Sequence, residues 1–487
     1  MTGGKTKLSC ARAAALSLVS EQRRRSARLR DLLRTSPVLE KLSPEDRALA
    51  SRLALGCVQT RGALDAAISS HLSRKGHLEP KVKDALALSA FELLFMKTPA
   101  AVAVSQGVEL VRSQSSKAAG LANAVLHRIL DKDVPACHDA QAKLADAPEA
   151  ATAEDLACAT GQPVWFCDRI ASSLGMPQAI LALSSLAEPA PVYVAANLGV
   201  TDASALERKL TEAGLAPEAQ GLPGAFELRH PQKLFASGLV GAVKAVPADL
   251  SAQEVALIAA PRPGESMLEI GQGRGTKTLL LLSAQKMLAE REGVKADKAR
   301  YVALDSEEFK TKLAQERLAK GGWDGRVSCI AFDGTELGEE RNLPQELSGT
   351  FDAVFVDVPC SGTGTLRRHP EISWSLEPSA VDAESAEGLP QLQLALLAAA
   401  AAKVAPHGRL VYATCSVLRE EDEDIVSRFL SCEAGAGFAV EDVRKAPALV
   451  LWPEAQDALP VTDEGFFRSS PLLGGPDGHF CCVLRRK

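Results

Sequence analysis

Aromatic side chains are scarce: they make up 4% of the 487 residues, with only 3 Tyr and 4 Trp. A chain this poor in rings cannot hold nucleic acid mainly on wide stacking platforms, so phosphate contacts and a few aromatics would have to serve. The 11 cysteines contain no Cys-x-x-Cys pair, so no zinc framework is recognisable and no metal site is expected. Their odd number, without a convincing secretory signal, fits a reducing cytosol. Long apolar runs are also missing. The longest, 392–402, is interrupted by Gln393 and falls well short of the roughly 20 residues that cross a bilayer. The apolar stretch near the N-terminus is broken and runs into Arg23, Arg24 and Arg25, which reads as an amphipathic helix rather than a signal peptide. A cytoplasmic protein with no membrane partner is expected. With 36 Gly, 27 Pro and 24% charged residues, the chain is neither collagen-like, nor a coiled coil, nor largely disordered.

What is present is material for several cores: 46% of the residues are hydrophobic, and the length suits about three domains. The net charge of -6 is unevenly spread. Residues 1–40 carry Lys5, Lys7, Arg12, Arg23, Arg24, Arg25, Arg28, Arg30 and Arg34 against Glu21, Asp31 and Glu40, a local balance of +6 that leaves -12 for the rest. Such an arm is either a footprint for phosphate or a solvated helix face.

The first 130 residues read as helices. Ser43-Pro44-Glu45-Asp46 supplies an N-cap, a proline at the first helical position and an acid three residues after the cap. Leu49, Leu53 and Cys57 follow at four-residue spacing, and Leu86, Ala90, Leu93 and Leu94 form a helical stripe. Residues 136–160, rich in Ala, Asp and Glu with Pro135 and Pro148 nearby, suggest a linker or a poorly packed helix. Residues 160–250 suggest a small α+β subdomain. Beyond 260, apolar runs at 266–270, 301–304, 327–332, 351–356 and 409–413 alternate with helical segments, which predicts βαβ units and a mainly parallel, doubly wound sheet. The expected domains are 1–138, helical; 139–250, linker and small α+β subdomain; and 251–487, α/β.

Ligands of such sheets bind at the carboxyl ends of the strands. There the sequence places Gly271-Gln272-Gly273-Arg274-Gly275-Thr276-Lys277, then Asp305, then Asp333. Alternating glycines let a ligand approach the backbone at a helix N-terminus, and a strand-end acid suits ribose hydroxyls. Each element alone also serves as a tight turn or a helix cap; three in register favour a nucleoside ligand. Asp305 lies 30 residues after Gly275, the extra length falling at 290–299. The fourth strand ends in Asp357-Val358-Pro359-Cys360-Ser361-Gly362-Thr363-Gly364 and the fifth in Thr414-Cys415-Ser416, which sets two cysteines at neighbouring strand tips. A lone cysteine is usually a small buried hydrophobe; a pair beside a nucleoside pocket suggests chemistry.

Pro-Cys-Ser-Gly-Thr-Gly together with Thr-Cys-Ser resembles the S-adenosylmethionine-dependent RNA cytosine-5 methyltransferases. Arg367-Arg368-His369-Pro370-Glu371-Ile372-Ser373-Trp374 resembles the variant found in bacterial enzymes of small-subunit ribosomal RNA. Gly56-Cys57-Val58, Leu64-Asp65 and residues 120–129 are similar to a NusB-like RNA-binding domain. The resemblance covers essentially the whole chain and is strongest at 351–416. It implies a Rossmann-like α/β methyltransferase domain preceded by an all-α NusB-like domain and a small α+β subdomain. It further implies S-adenosylmethionine as cofactor, and carbon 5 of a cytosine in 16S ribosomal RNA, in a loop or bulge of free or partly assembled RNA, as target. No obligate protein partner is inferred.

By the same resemblance Cys415 is the nucleophile, Cys360 assists release, and Asp357 holds the cytosine edge and borders the cofactor. Asp305 takes the ribose, Asp333 the adenine amine, and Gly271, Gln272, Gly273, Arg274, Gly275, Thr276 and Lys277 the methionine end. Arg367, Arg368 and His369 would reach phosphates and Trp374 would stack on a base; the alternative is a loop braced against the sheet. The chain departs from the family where Asp-x-Cys-Ala-Ala-Pro-Gly-Gly-Lys-Thr is usual. Here Glu269 precedes the glycine loop, and only Gly275, Lys277 and Thr278 stay in place. Ser373 stands for a lysine, and His479-Phe480 for Phe-Phe. The residues alone leave open which cysteine attacks, whether transfer RNA or large-subunit RNA is the substrate, and whether the altered loop leaves only an RNA-binding assembly protein. A nicotinamide dehydrogenase would fit the glycines but leave the paired cysteines unexplained.

Overall fold

The computed structural model describes residues 7–25, 27–72, 78–294, 299–339 and 343–487. Lys5 of the basic arm and part of the extra length at 290–299 lie outside them. The chain divides into two compact units, Met1–Pro189 with Leu366–Pro378, and Ala190–Thr365 with Ser379–Lys487.

In the first unit, helices Cys10–Arg25, Pro44–Gln59, Pro80–Phe95, Ala100–Gln114 and Ala119–Arg128 enclose one apolar core that includes Leu18, Leu53, Cys57, Leu86, Val111 and Leu126. The Ser43 hydroxyl accepts from the Asp46 amide at 3.2 Å, and Pro44 opens the helix, as the sequence predicts. Gly56 is required by packing: a Cβ there would lie 1.9 Å from Cζ of Phe91. Helices continue past these five. Val134–Asp146 buries Cys137, Ala140 and Leu144, and Ala153–Thr160 is closed by a Thr152–Asp155 capping box, so the stretch expected as a linker or loose helix is ordered helix.

Four cations of the basic arm are paired within this unit. Arg12 forms a buried pair with Glu92, its Nε at 2.9 Å. Arg23 (3.1 Å) and Arg61 (2.9 Å) share the buried carboxylate of Asp84, Arg25 pairs with Glu21, and Arg34 with Asp31. Pairing of this kind lowers the field available to a phosphate.

The second unit contains two sheets. A small antiparallel one, in the order β2-β3-β1-β4, is built from β1 (Tyr193–Ala196), β2 (Pro217–Ala219), β3 (Ala225–Leu228) and β4 (Ala245–Pro247), with helix Ala203–Glu212. The large sheet comprises β5 (Met267–Ile270), β6 (Tyr301–Asp305), β7 (Ser328–Ala331), β8 (Phe351–Asp357), β9 (Val404–Thr414), β10 (Phe438–Glu441), β11 (Phe467–Arg468) and β12 (Phe480–Arg486). Its order is β10-β12-β9-β8-β5-β6-β7, with β11 also paired to β12. The five strands from β9 to β7 are parallel, as the alternating pattern predicts, while β10, β11 and β12 are antiparallel. Side chains alternate between two cores: Met267, Ala353 and Phe355 face one; Leu268, Ile270, Val354 and Val356 face the other. Burial on both faces is why these strands read as continuous apolar runs. From β5 the order runs outward through β6 to β7 on one side and through β8 to β9 on the other. The carboxyl ends of β5 and β8 therefore flank the switch point where such sheets form their ligand crevice.

Candidate active site at the strand tips

Among the described residues, no group of His, Cys, Asp or Glu is arranged to hold a metal ion, and no helix is long and apolar enough to cross a membrane.

The turn after β5 is shaped by its glycines. Gly271, Gly273 and Gly275 all have positive φ, of 83°, 57° and 74°. A Cβ on Gly271 would stand 2.1 Å from the carbonyl oxygen of Asp357, whereas one on Gly273 would meet nothing within 4 Å. The first glycine thus permits close approach to β8, and the second leaves open space over the turn. Gly275 is the N-cap of helix Thr276–Glu292, whose unsatisfied amides favour an anionic group. The Asp305 carboxylate accepts from the Gly273 amide at 3.0 Å and from the Glu307 amide at 3.0 Å, with Lys310 at 3.4 Å. Gln272 is buried; its amide nitrogen reaches Thr278 Oγ1 and Cys329 Sγ, each at 3.3 Å, while its Oε1 has no partner. A buried unpaired acceptor is costly, and it makes Gln272 a ready acceptor for a donor on a ligand. Arg274 is exposed; its carbonyl and the Thr276 hydroxyl both accept from Arg317, at 3.3 and 2.7 Å.

Under this loop lies Glu269, 0% exposed, which accepts from the hydroxyls of Thr278 (3.1 Å) and Tyr301 (2.9 Å). Burial pushes its carboxyl up to about 7, against the pull of those two donors. Asp333 is exposed and caps a 3-10 turn, accepting from the Thr335 amide (2.9 Å) and hydroxyl (2.7 Å); the helix-cap alternative is realised there.

On the other side of the crevice, Lys277 Nζ donates to Asp357 Oδ2 at 2.7 Å, joining the helix after the glycine turn to the end of β8. The sulfurs of Cys360 and Cys415 are 3.2 Å apart, and the Cys415 amide donates to the Cys360 sulfur at 3.4 Å. The Cys360 thiol is held well above its ordinary range, first by its hydrogen bond to Cys415 and then by burial. Lys277 is raised as well: burial works against the ammonium, and the Asp357 carboxylate beside it prevails. The Gly364 amide donates to the Cys415 carbonyl, and the Gly478 amide to the Gly364 carbonyl, both at 2.9 Å, so the segment before β12 is fastened to the Cys360 turn.

Six residues beyond Cys360 the chain enters the helical unit for the stretch Leu366–Pro378. Arg367 is buried and its carbonyl accepts from Arg30 at 3.0 Å. Trp374 donates to the Gln59 carbonyl at 2.7 Å, and its ring fills the space beside Gly62, where a Cβ would lie 1.8 Å from the ring. Arg368 and His369 are half-buried. The segment is thus braced, although on helices rather than on the sheet.

The sequence reading missed the groups beneath the cysteines: Glu421, Asp422 and Gln393, all 0% exposed. Their only signal is the run Glu420-Glu421-Asp422-Glu423, and a run of four acids ordinarily marks a solvated surface.

Residues 256–469 match the family described as 16S rRNA methyltransferase RsmB/F, and residues 10–131 match the NusB family. The ribosomal RNA small subunit methyltransferase B of Thermus thermophilus is 28% identical over 93% of this chain and 91% of its own. A probable ribosomal RNA small subunit methyltransferase B of Bacillus subtilis is 25% identical over 94% of both chains. Among solved structures, PH0851 superposes with a TM-score of 0.72 at 18% identity, covering 99% of this chain and 100% of that one. NSun6 from Pyrococcus horikoshii with SFG gives 0.52 at 15% identity over 66% and 98%. The structural likenesses establish the fold, a Rossmann-like α/β domain.

Proposed function

We infer, from a chain that joins a NusB-family helical region to a region of the RsmB/F family of 16S rRNA methyltransferases, that it methylates carbon 5 of a cytosine in 16S ribosomal RNA through a cysteine adduct at carbon 6. The observation that carries this reading is the pair of thiols 3.2 Å apart at adjacent strand tips, beside an Asp357–Lys277 pair at the switch point. Carbon 5 of cytosine is a weak nucleophile, and adding a thiolate to carbon 6 makes it enamine-like. S-adenosylmethionine, when bound, supplies an electrophilic methyl group.

The residues present fit that cofactor. Gly271 to Lys277 offer an open glycine turn, helix amides and the unpaired Gln272 Oε1; Asp305 stands at the end of β6 for ribose hydroxyls; and Asp333, exposed, is assigned to the adenine amine. Cys415 is the nucleophile. Its neighbour Cys360 holds its proton through the hydrogen bond to Cys415 and is placed to give that proton to the departing Cys415 sulfur, while the carbon 5 proton passes to water. Asp357, oriented by Lys277, holds the pyrimidine edge. The target base has to leave its stack to reach the tips, which suits a loop or bulge. Of the four residues expected at the RNA, Arg368 and His369 are assigned to phosphate, while Arg367 and Trp374 are assigned to seat the segment through which RNA would be met.

The test is transfer of labelled methyl from S-adenosylmethionine to unmodified 16S RNA. Wild type is expected to transfer it to carbon 5 of a cytosine, Cys415→Ala to lose at least about 10³-fold in rate, and Cys360→Ala to accumulate an RNA–protein adduct. Full activity of Cys415→Ala, or transfer to any other atom, overturns the reading.

A further inference from the structure

Beneath the two cysteine turns a single carboxylate gathers four donors. Glu421 Oε1 accepts from the backbone amide of Ser361 at 2.8 Å and from Gln393 Nε2 at 3.0 Å. Glu421 Oε2 accepts from the hydroxyls of Ser361 and of Ser416, the latter at 2.6 Å. Ser361 directly follows Cys360, and Ser416 directly follows Cys415. Thr363 reinforces the connection: its hydroxyl lies 3.0 Å from that of Ser416 and accepts from the Val417 amide at 3.1 Å. The Glu421 carbonyl is itself held by the Tyr412 hydroxyl, at 2.5 Å, from within β9. An ionised carboxylate has about four acceptor sites, and here each oxygen receives two donors. A buried charge on this scale is retained at a cost unless it is fully satisfied, and the donors come from both cysteine turns.

We propose that Glu421 is a positioning residue of the reaction, its carboxylate clasping the Cys360 turn to the Cys415 turn and setting a fixed negative charge on the Cys360 side of the pair. The proposal rests on the cytosine reading for its kinetic consequence and not for its consequence at the thiols. Tied through Ser361 and Ser416, the two sulfurs keep their 3.2 Å separation without touching the carboxylate themselves. The charge acts alongside the geometry: Cys415, burial and Glu421 all disfavour a thiolate on Cys360, so that sulfur keeps its proton and is the less reactive of the two. Of the other charged groups near these tips, Lys277 and Asp357 pair on the cofactor-loop side, while Asp422, which accepts from the Thr414 hydroxyl, and Glu423 face Arg468.

Glu421→Gln tests this. It keeps the shape and one carbonyl acceptor, and the serine hydroxyls can rotate to accept from the new amide, so the melting temperature is expected to stay near that of wild type. Binding of S-adenosylmethionine and KM for RNA are expected to change less than about threefold, while kcat falls about 10²-fold. Limiting iodoacetamide, followed by peptide mass spectrometry, is expected to shift labelling from Cys415 toward Cys360 by at least about threefold. Glu421→Asp, which keeps the charge but shortens the reach, is expected to retain the wild-type labelling ratio and still lose kcat. Unchanged kcat and an unchanged labelling ratio in Glu421→Gln overturn the proposal. If Glu421→Gln does not fold, Ser416→Ala removes one donor and leaves the charge; its kcat is expected to fall about tenfold, and a wild-type kcat there overturns the proposal. If wild type itself transfers no methyl to cytosine, the reading of function fails, while the labelling ratio still decides the role of Glu421.

Discussion

Two fully buried glutamates lie under opposite sides of the crevice and are held by different means. Glu269, beneath the glycine loop, has two hydroxyl donors and a carboxyl raised to about 7 by burial. Glu421, beneath the cysteines, has four donors, one of them a backbone amide. The difference teaches what each can contribute. A carboxyl shared between two rotatable hydroxyls can take up a proton near neutrality while its donors turn to accept, so the loop side is sensitive to pH. A carboxylate that fastens backbone on one turn and side chain on another is an element of geometry.

The comparison can be broken most severely on the loop side at Gly271. With φ of 83° and Asp357 O only 2.1 Å from the would-be Cβ, Gly271→Ala is expected to cost about 4 kcal/mol of stability and to weaken S-adenosylmethionine binding more than tenfold, as read by denaturant titration and equilibrium binding. The thiol labelling ratio should hold in whatever fraction folds. A loop variant that scrambled that ratio would show the two sides to be one structure.

Glu269 allows a finer test. Its ordinary value of 4.5 is raised to about 7 in the native state, so the native protein binds the extra proton between those limits. The contribution is therefore fully present below pH 4.5 and is lost as pH rises to about 7, an effect on the order of 3 kcal/mol at most. Glu269→Gln is expected to remove that component of the pH dependence, measured as unfolding free energy against pH. An identical slope in the variant would mean that Glu269 does not titrate in this window.

The smallest expected effect sharpens the contrast between buried and exposed acids. Asp333 is a solvent-facing cap, so Asp333→Ala should cost about 1 kcal/mol and Asp333→Asn almost nothing. Because the carboxylate is also assigned to the adenine amine, Asp333→Asn is expected to weaken cofactor binding with stability intact, and unchanged affinity would assign Asp333 to the turn alone.

The parallel half of the large sheet was legible because strands buried on both faces are written as apolar runs between helices. β10 to β12 were not. β12 lies far down the chain and pairs antiparallel between β9 and β10, and no tight hairpin turn announces it. Cys360 and Cys415 stood out because they occupy strand ends, where position alone carries meaning. The Lys277–Asp357 pair spans 80 positions, and neither residue type advertises its partner. Glu421 was hidden for a simpler reason: a buried acid and a solvated one are spelled alike, and only the donors around it distinguish them. Residues 136–160 misled by composition, since alanine-rich helices bury small side chains and leave a weak stripe.

The excursion of Leu366–Pro378 into the helical unit has a consequence for anyone who would take the protein apart. The polypeptide crosses between units at Pro189, again at Thr365 and again at Pro378, so neither unit is a continuous stretch of gene. A truncation at residue 189 would leave Trp374 without the Gln59 carbonyl and the Gly62 surface it occupies, exposing an aromatic tongue that begins six residues after Cys360. The helical unit, for its part, would lose a piece of its own packing.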